Sequence, residues 1–137
     1  FMTEVSAWFQ RRKRRKNRFI LVGDLNVAPL ETDVWNHKQL LRVVSHTQIE
    51  VEHMDAWYFS HDWVDVVRHF IPGTENIYTW WSYRSPDWEA ADKGRRLDHI
   101  WVTPALRDSL RSVEILKKAR GYKPASDHAP VIAELEI

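Results

Sequence analysis

The chain has no cysteine, which excludes disulfides and thiolate metal sites. No apolar run approaches the roughly 20 residues of a membrane span, so no membrane partner is expected. The opening Phe1-Met2-Thr3-Glu4 lacks a basic region followed by an apolar stretch, and no secretory leader is legible. The cytoplasm is the expected location. No internal repeat, low-complexity tract or interdomain linker breaks the sequence. A general basic excess is missing too. Net charge is +1, and seven positive charges sit in Arg11-Arg-Lys-Arg-Arg-Lys16 and Arg18. The remainder carries 13 basic against 19 acidic side chains, a balance of −6. A nucleic-acid reading therefore cannot rest on overall charge.

What is present is a globular composition. The 137 residues, 44% of them hydrophobic, suffice for one compact domain with a real core. Eight tryptophans are many for this length. Most are expected to pack; Trp80, Trp81 and Trp88 lie close enough in sequence to form a stacking wall.

Hydrophobic patterning predicts a helix over 3–16, with Thr3 as N-cap and Val5, Trp8 and Phe9 on one face. Its basic far end suits the negative helix terminus. That run reads as a solvated helix end, placed opposite the strand end that follows, with a role in long-range attraction. Residues 18–22 read as a buried strand and 23–45 as mostly loop. Thr47-Gln-Ile-Glu50 is a capping box opening a helix through about His53 to Ser60, with Ile49, Met54, Trp57 and Tyr58 inward. Trp63–Phe70 reads as a helical turn, 77–82 as a strand and 85–94 as a loop. Further strands are expected over 97–102, 113–116 and 129–137, the last with Pro130 near its start. Strands interspersed with helices imply an α/β or α+β layered fold.

Three polar clusters fall at strand ends. The first is Gly23-Asp24-Leu-Asn26-Val-Ala-Pro29, where residues i and i+2 of a strand point the same way. The second is Arg96-Leu97-Asp98. The third is Ser126-Asp127-His128. If the strands are neighbours, the clusters converge at one sheet edge. A carboxylate such as Asp98 then orients the His128 imidazole and favours its charged form. Asp24 activates a water, Asn26 positions the nucleophile or a phosphate, and Asp127 helps hold a hard cation through oxygen. Water, cation and an oriented acid and base describe phosphoester hydrolysis. Each cluster alone also reads as a turn or a surface ion pair. The remaining histidines (His37, His46, His53, His61 and His69) show no ligand spacing and read as surface or satisfied core residues. His99 should face away from Asp98.

Together, and in this order, the clusters resemble the exonuclease III family of abasic-site (AP) endonucleases, within the endonuclease/exonuclease/phosphatase superfamily. Asp65-Val-Val-Arg68-His69 and Tyr78-Thr-Trp-Trp81-Ser-Tyr-Arg84 are similar to the segment ending at that family's abasic-sugar pocket. Gly94-Arg-Arg96-Leu97-Asp98-His-Ile resembles its dyad strand, and Ser126-Asp127-His128-Ala-Pro130-Val its terminal motif. The resemblance implies catalytic roles for Asp24, Asn26, Asp98 and His128, and a metal region of Asp127, Asp24 and His128. It implies a sugar pocket lined by Trp80 and Leu97, with Arg95 where some members carry tryptophan. Asp92 stands where an asparagine is common, and Thr103 replaces a serine.

The implied cofactor is Mg²⁺, with Mn²⁺ as the alternative. The implied partner is double-stranded DNA with abasic sites or 3′ ends. The implied reaction is cleavage 5′ to the abasic site, with 3′-5′ exonuclease action and 3′-end trimming. The family's earlier half, with a metal-binding glutamate, is not matched here, and Phe1-Met2 resembles the helix just before its second half. Residues 1–137 are thus expected to form the C-terminal half of a four-layer α/β sandwich: one mixed, mainly antiparallel sheet with helices on its outer face. The N-terminal half, or a chain replacing it, would be a partner, and the chain alone would be weak or inactive. Two other readings remain: a superfamily phosphatase acting on small or lipid phosphates, and a non-catalytic DNA-binding remnant.

Overall fold

A computed structural model describes residues 1–14 and 16–137. The order is α1 (Met2–Arg12), β1 (Ile20–Asp24), a 3-10 turn (Glu31–Asp33), α2 (His37–Leu40), α3 (Gln48–Phe59), β2 (Val64–Asp65), α4 (Val66–Phe70), α5 (Trp88–Ala91), β3 (Asp98–Val102), a 3-10 turn (Pro104–Ser109), β4 (Leu110–Ile115), a 3-10 turn (Lys117–Gly121) and β5 (Val131–Leu135). The α/β class expected from the sequence is observed. The strands are hydrogen-bonded as two sheets rather than one, ordered β1-β3-β2 and β4-β5. All three pairings are antiparallel. Pro130, lacking an N–H, immediately precedes β5, and its carbonyl accepts from Leu116 N–H at 2.9 Å.

Helix α1 begins at Met2 behind Phe1, so Thr3 lies inside it rather than capping it. It ends at Arg12, where Lys13 turns extended, short of the expected Lys16; position 15 of the basic run lies outside the described residues. Adjacent like charges one turn apart disfavour the helix there. Its inner face is Met2, Val5 and Phe9, packed with Trp57, Trp63 and Trp101. Burying a side chain such as Phe9 stabilises the fold by about 2–3 kcal/mol. Trp8 instead faces outward beneath the Arg12 guanidinium, 4.1 Å from its ring.

The capping box opens α3 as expected: the Glu50 carboxylate accepts from Thr47 N–H at 3.1 Å and Thr47 Oγ1 at 2.6 Å. Burial opposes ionisation of Glu50, yet these bonds and one from Ser45 N–H hold its carboxyl below the usual range. Met54 and Trp57 face in, whereas Ile49 is exposed.

Strand β1 starts two residues later than expected and is not buried. Leu21 faces the α1–α3 layer with its partner Trp101. Ile20 and Val22, on the opposite face, are 46% and 64% exposed. Helices α1 and α3 cover the Leu21–Trp101 side; on the other side Val66 of α4 packs against Val102, and among the described residues Ile20 and Val22 are left largely open.

Between the expected elements, the structure adds detail. The 23–45 loop contains a 3-10 turn and α2, and the 85–94 loop contains α5. The Trp63–Phe70 segment divides into β2 and α4, with Asp65 Oδ1 capping α4 by accepting from Arg68 N–H. No strand forms over 77–82. Trp80 makes single bridges to Arg95 on one side and to His128 on the other. That pairing draws the dyad strand and the terminal motif together.

Candidate active site

The site is built where β1 and β3 end side by side, with Asp24 opposite Asp98 in the register. Gly23 has a φ of +152°, a backbone that L side chains rarely adopt, which explains a glycine before Asp24. The strand then stops. Asn26 takes a left-handed φ of 56°, and its N–H donates to Asp24 Oδ1 at 2.9 Å. Asp24 and Asn26 are therefore joined by an Asx turn rather than by strand alternation.

His128 arrives through the Trp80 bridge. Trp81 N–H donates to Asp127 O at 3.0 Å and Ala129 N–H to Thr79 O at 2.7 Å, fixing the terminal motif from both sides. His128 Nδ1 donates to Asp98 Oδ2 at 2.8 Å. That bond sets the tautomer and leaves Nε2 facing two further carboxylates, Asp24 Oδ2 at 3.8 Å and Asp127 Oδ1 at 3.9 Å. The four side chains are partly exposed and open to a ligand.

Thr79, which the sequence reading passed over, completes the dyad. Its Oγ1 donates to Asp98 Oδ2 at 2.6 Å and accepts the N–H groups of Leu97 and Asp98. A fully buried threonine between a tyrosine and two tryptophans gave no signal of this in sequence.

Asp24, Asp98 and His128 offer ligand atoms lying within 4.8 Å of one another. Asp98 Oδ2 is already committed to His128 and Thr79, which leaves Asp24 as the freer oxygen donor. Asp127 lies outside this group, its Oδ2 accepting from Trp80 Nε1 at 2.9 Å. Carboxylate oxygens fit a hard divalent cation that keeps several waters; the imidazole nitrogen beside them does not favour such an ion.

Trp80 and Arg95 line a cleft of about 700 Å³ with Trp35, Trp88, Arg84 and Lys93. The Arg95 guanidinium lies 5.2 Å from the centre of the Trp80 ring. Burial holds the Arg95 pKa below its usual value. Leu97 sits behind this wall, buried with Ala28, Val34 and Leu40. A second open cleft, about 570 Å³, runs from Asp24, Asp98 and His128 along Val22, Ile100 and Val131.

Beneath the site lies a buried ion network. Arg96 does not pair with Asp98. It grips Asp33 with Nε and Nη2 at 2.7 and 2.9 Å and reaches Asp65 with Nη1 at 2.7 Å. Arg68 adds a bond to Asp33 Oδ1 at 2.6 Å. Burial opposes the charge on Asp33, but Arg96 and Arg68 outweigh it and hold its carboxyl below the usual range. Burial likewise opposes the charge on Arg96, and Asp65 and Asp33 reverse this and raise its pKa. His99 faces away from Asp98, as expected, and donates from Nε2 to Val27 O at 2.8 Å. Burial, aided by the Arg96 charge, lowers its pKa to about 4.

This chain belongs to the Endonuclease/Exonuclease/phosphatase family, whose family model matches residues 1–128. It is 27% identical over 143 residues to exodeoxyribonuclease III of Haemophilus influenzae, an alignment covering 99% of this chain and 52% of that protein. The chain thus spans about half the length of that relative. Among solved structures, an AP endonuclease from Archaeoglobus fulgidus superposes with a TM-score of 0.92 at 26% identity, covering 99% of this chain and 52% of the other. The 3′ phosphatase NExo from Neisseria, solved with a product DNA hairpin, gives 0.89 at 26% identity and the same coverage. Within the family, the resemblance to exonuclease III and AP endonucleases holds.

Proposed function

We propose that this chain is the second half of a DNA-repair phosphodiesterase that cuts 5′ to abasic sites, leaves a 3′-hydroxyl and also trims 3′ ends. The observation that carries this reading is the His128–Asp98 pair, with the free Nε2 of His128 facing the Asp24 and Asp127 carboxylates beside the Trp80–Arg95 wall. By name, the relatives that the chain resembles are an exodeoxyribonuclease III, an AP endonuclease and a 3′ phosphatase bound to a product DNA hairpin.

In this reading Asp24 takes the proton of the attacking water. Asn26, fixed by its turn to Asp24, orients that water or a phosphate oxygen. His128, held by Asp98, donates to the phosphate oxygen where charge develops. The carboxylates of Asp24 and Asp127 would border a divalent cation, while His128 Nε2, 3.8 and 3.9 Å from them, would face the phosphate. A divalent cation held there, Mg²⁺ in this reading, would supply charge to polarise the phosphate and acidify a water. Trp80 and Arg95 form one wall for a sugar turned out of the duplex. Extrusion is cheapest where the base is already lost.

The complete enzyme, in this account, joins the chain to the further half that its relatives carry. That half covers the exposed face of Ile20 and Val22, forming a four-layer sandwich, and supplies the remaining metal ligand. The test compares Mg²⁺-dependent cleavage of an abasic duplex with release of phosphate from an inositol phosphate by the complete enzyme. Nicking 5′ to the abasic site, abolished by chelation, is expected. Turnover of the inositol phosphate with no nicking would favour a small-molecule phosphatase instead.

A further inference from the structure

Away from the reaction centre, two histidines that carry no motif touch each other: His37 Nδ1 and His46 Nε2 are 2.7 Å apart. His46 is buried, and its Nδ1 lies 2.6 Å from the carbonyl oxygen of Ala28. A carbonyl only accepts, so Nδ1 carries the hydrogen, and in the neutral ring Nε2 is the bare acceptor. His37 Nδ1 must then be the donor. The far nitrogen of His37, Nε2, lies 3.3 Å from Glu31 Oε1 and donates there when the ring is charged. The chain of bonds from Glu31 to Ala28 is thus complete only while His46 is neutral. A proton on His46 Nε2 would set two N–H groups head-on across that short gap, and the pair would part.

The carbonyl gripped by His46 belongs to the loop that carries Asp24 and Asn26. Ala28 lies two residues beyond Asn26, and its N–H donates to Ser45 O at 2.8 Å. The same turn holds the pocket wall, because Arg95 Nη1 donates to Val44 O and Ser45 Oγ, both at 3.0 Å. Residues 44–46 therefore tie the loop of the proposed nucleophile site to the guanidinium facing Trp80. The charged groups around the pair are Glu31, Glu50, which accepts from Ser45 and Thr47 N–H, and Arg95. Lys38 and Arg42 neighbour the pair in sequence.

Resting on the function proposed above, we infer that His46 is a positioning residue that aligns the Asp24–Asn26 loop with the Trp80–Arg95 pocket, and that its hydrogen bond to His37 makes this alignment depend on a single proton. The test is kcat and KM for an abasic duplex across pH, with ¹⁵N NMR of the histidine rings of the same complete enzyme. His46 is expected to carry its hydrogen on Nδ1, with a coupling across the His37–His46 bond that disappears on acidification together with kcat. His37→Asn offers an amide that does not titrate and can turn its oxygen toward a charged His46 Nε2–H, so it should remove this acid loss of kcat. His46→Phe should lower kcat tenfold or more with KM within about threefold. If His46→Phe does not fold, the His37→Asn profile and the NMR coupling still decide the matter.

An Nε2-protonated His46, or an acid limb identical in His37→Asn, overturns the inference and leaves the phosphodiesterase reading intact. Absence of cleavage at every pH, with the coupling present, strikes at that reading and supports the hold on the loop.

Discussion

Replacing Thr79 by valine keeps the side-chain shape and removes one oxygen that serves three bonds. The Thr79 hydroxyl donates to Asp98 Oδ2 at 2.6 Å and accepts Leu97 and Asp98 N–H at 3.0 and 3.1 Å. A hydrogen bond to a charged group contributes about 1.5–3 kcal/mol, and a buried donor left without a partner costs about 1–3 kcal/mol. The three losses share one atom and do not add in full, so Thr79→Val should destabilise the fold by about 3–5 kcal/mol. That is a large part of the roughly 5–15 kcal/mol that holds a domain together. Urea unfolding of the complete enzyme, followed by circular dichroism, measures it. With a slope of about 1–3 kcal/mol per molar, the midpoint should fall by roughly 2 M. Thr79→Ser keeps the oxygen and should recover most of the loss. In the same enzyme the valine variant should lower kcat by roughly 10- to 100-fold with little change in KM, because Asp98 loses one of the bonds that aim His128, and small misplacements are expensive in rate. A valine variant within about 1 kcal/mol of the parent, with kcat unchanged, would refute the assigned role of Thr79.

Other outcomes follow from the same geometry. The pKa of His99, lowered to about 4 by burial, means that the unfolded chain binds the extra proton more readily between pH 6.5 and 4. His99 therefore contributes stability that is present above its unfolded value and lost as pH falls, about 3 kcal/mol in all. His99→Gln should flatten that part of a stability-versus-pH curve from urea titrations. Asp33, held below the usual carboxylate range, contributes in the same direction further into acid. Arg96→Met leaves the buried Asp33 with Arg68 alone and should cost about 3–5 kcal/mol in the same unfolding assay. Gly94→Ala places a Cβ 2.5 Å from Tyr78 Cβ and should cost about 1–3 kcal/mol, read as a fall in melting temperature. Purified residues 1–137 alone should not nick an abasic duplex in Mg²⁺; nicking on a denaturing gel would contradict the incomplete-site reading.

Much of this was legible from chemistry-bearing residues at strand ends. Asp24, Asp98 and His128 were placed together because each follows or opens an apolar run, and the strands carrying Asp24 and Asp98 do lie side by side. The capping box at Thr47 and Glu50 was legible because it is a local bond pattern. What could not be read depends on pairing across the chain. The 77–82 segment looked like a strand, yet Trp80 bonds to two different segments through single bridges, so no ladder forms. Arg96 looked like a surface partner for Asp98. Its true partner, Asp33, is 63 positions away, and only the fold reveals that a buried guanidinium needs it. Strand β1 read as buried because its side chains are apolar. Only the position of α1 and α3, on one side of the sheet, shows which of those side chains remain open.

The most direct test of the account is cleavage of an abasic duplex by the complete enzyme and by its His128→Ala and Asp24→Asn variants, in Mg²⁺. The account predicts nicking 5′ to the abasic site by the parent and a loss of roughly 10²- to 10⁴-fold in kcat for each variant, with the fold intact by circular dichroism. Cleavage at the parent rate by either variant would contradict it.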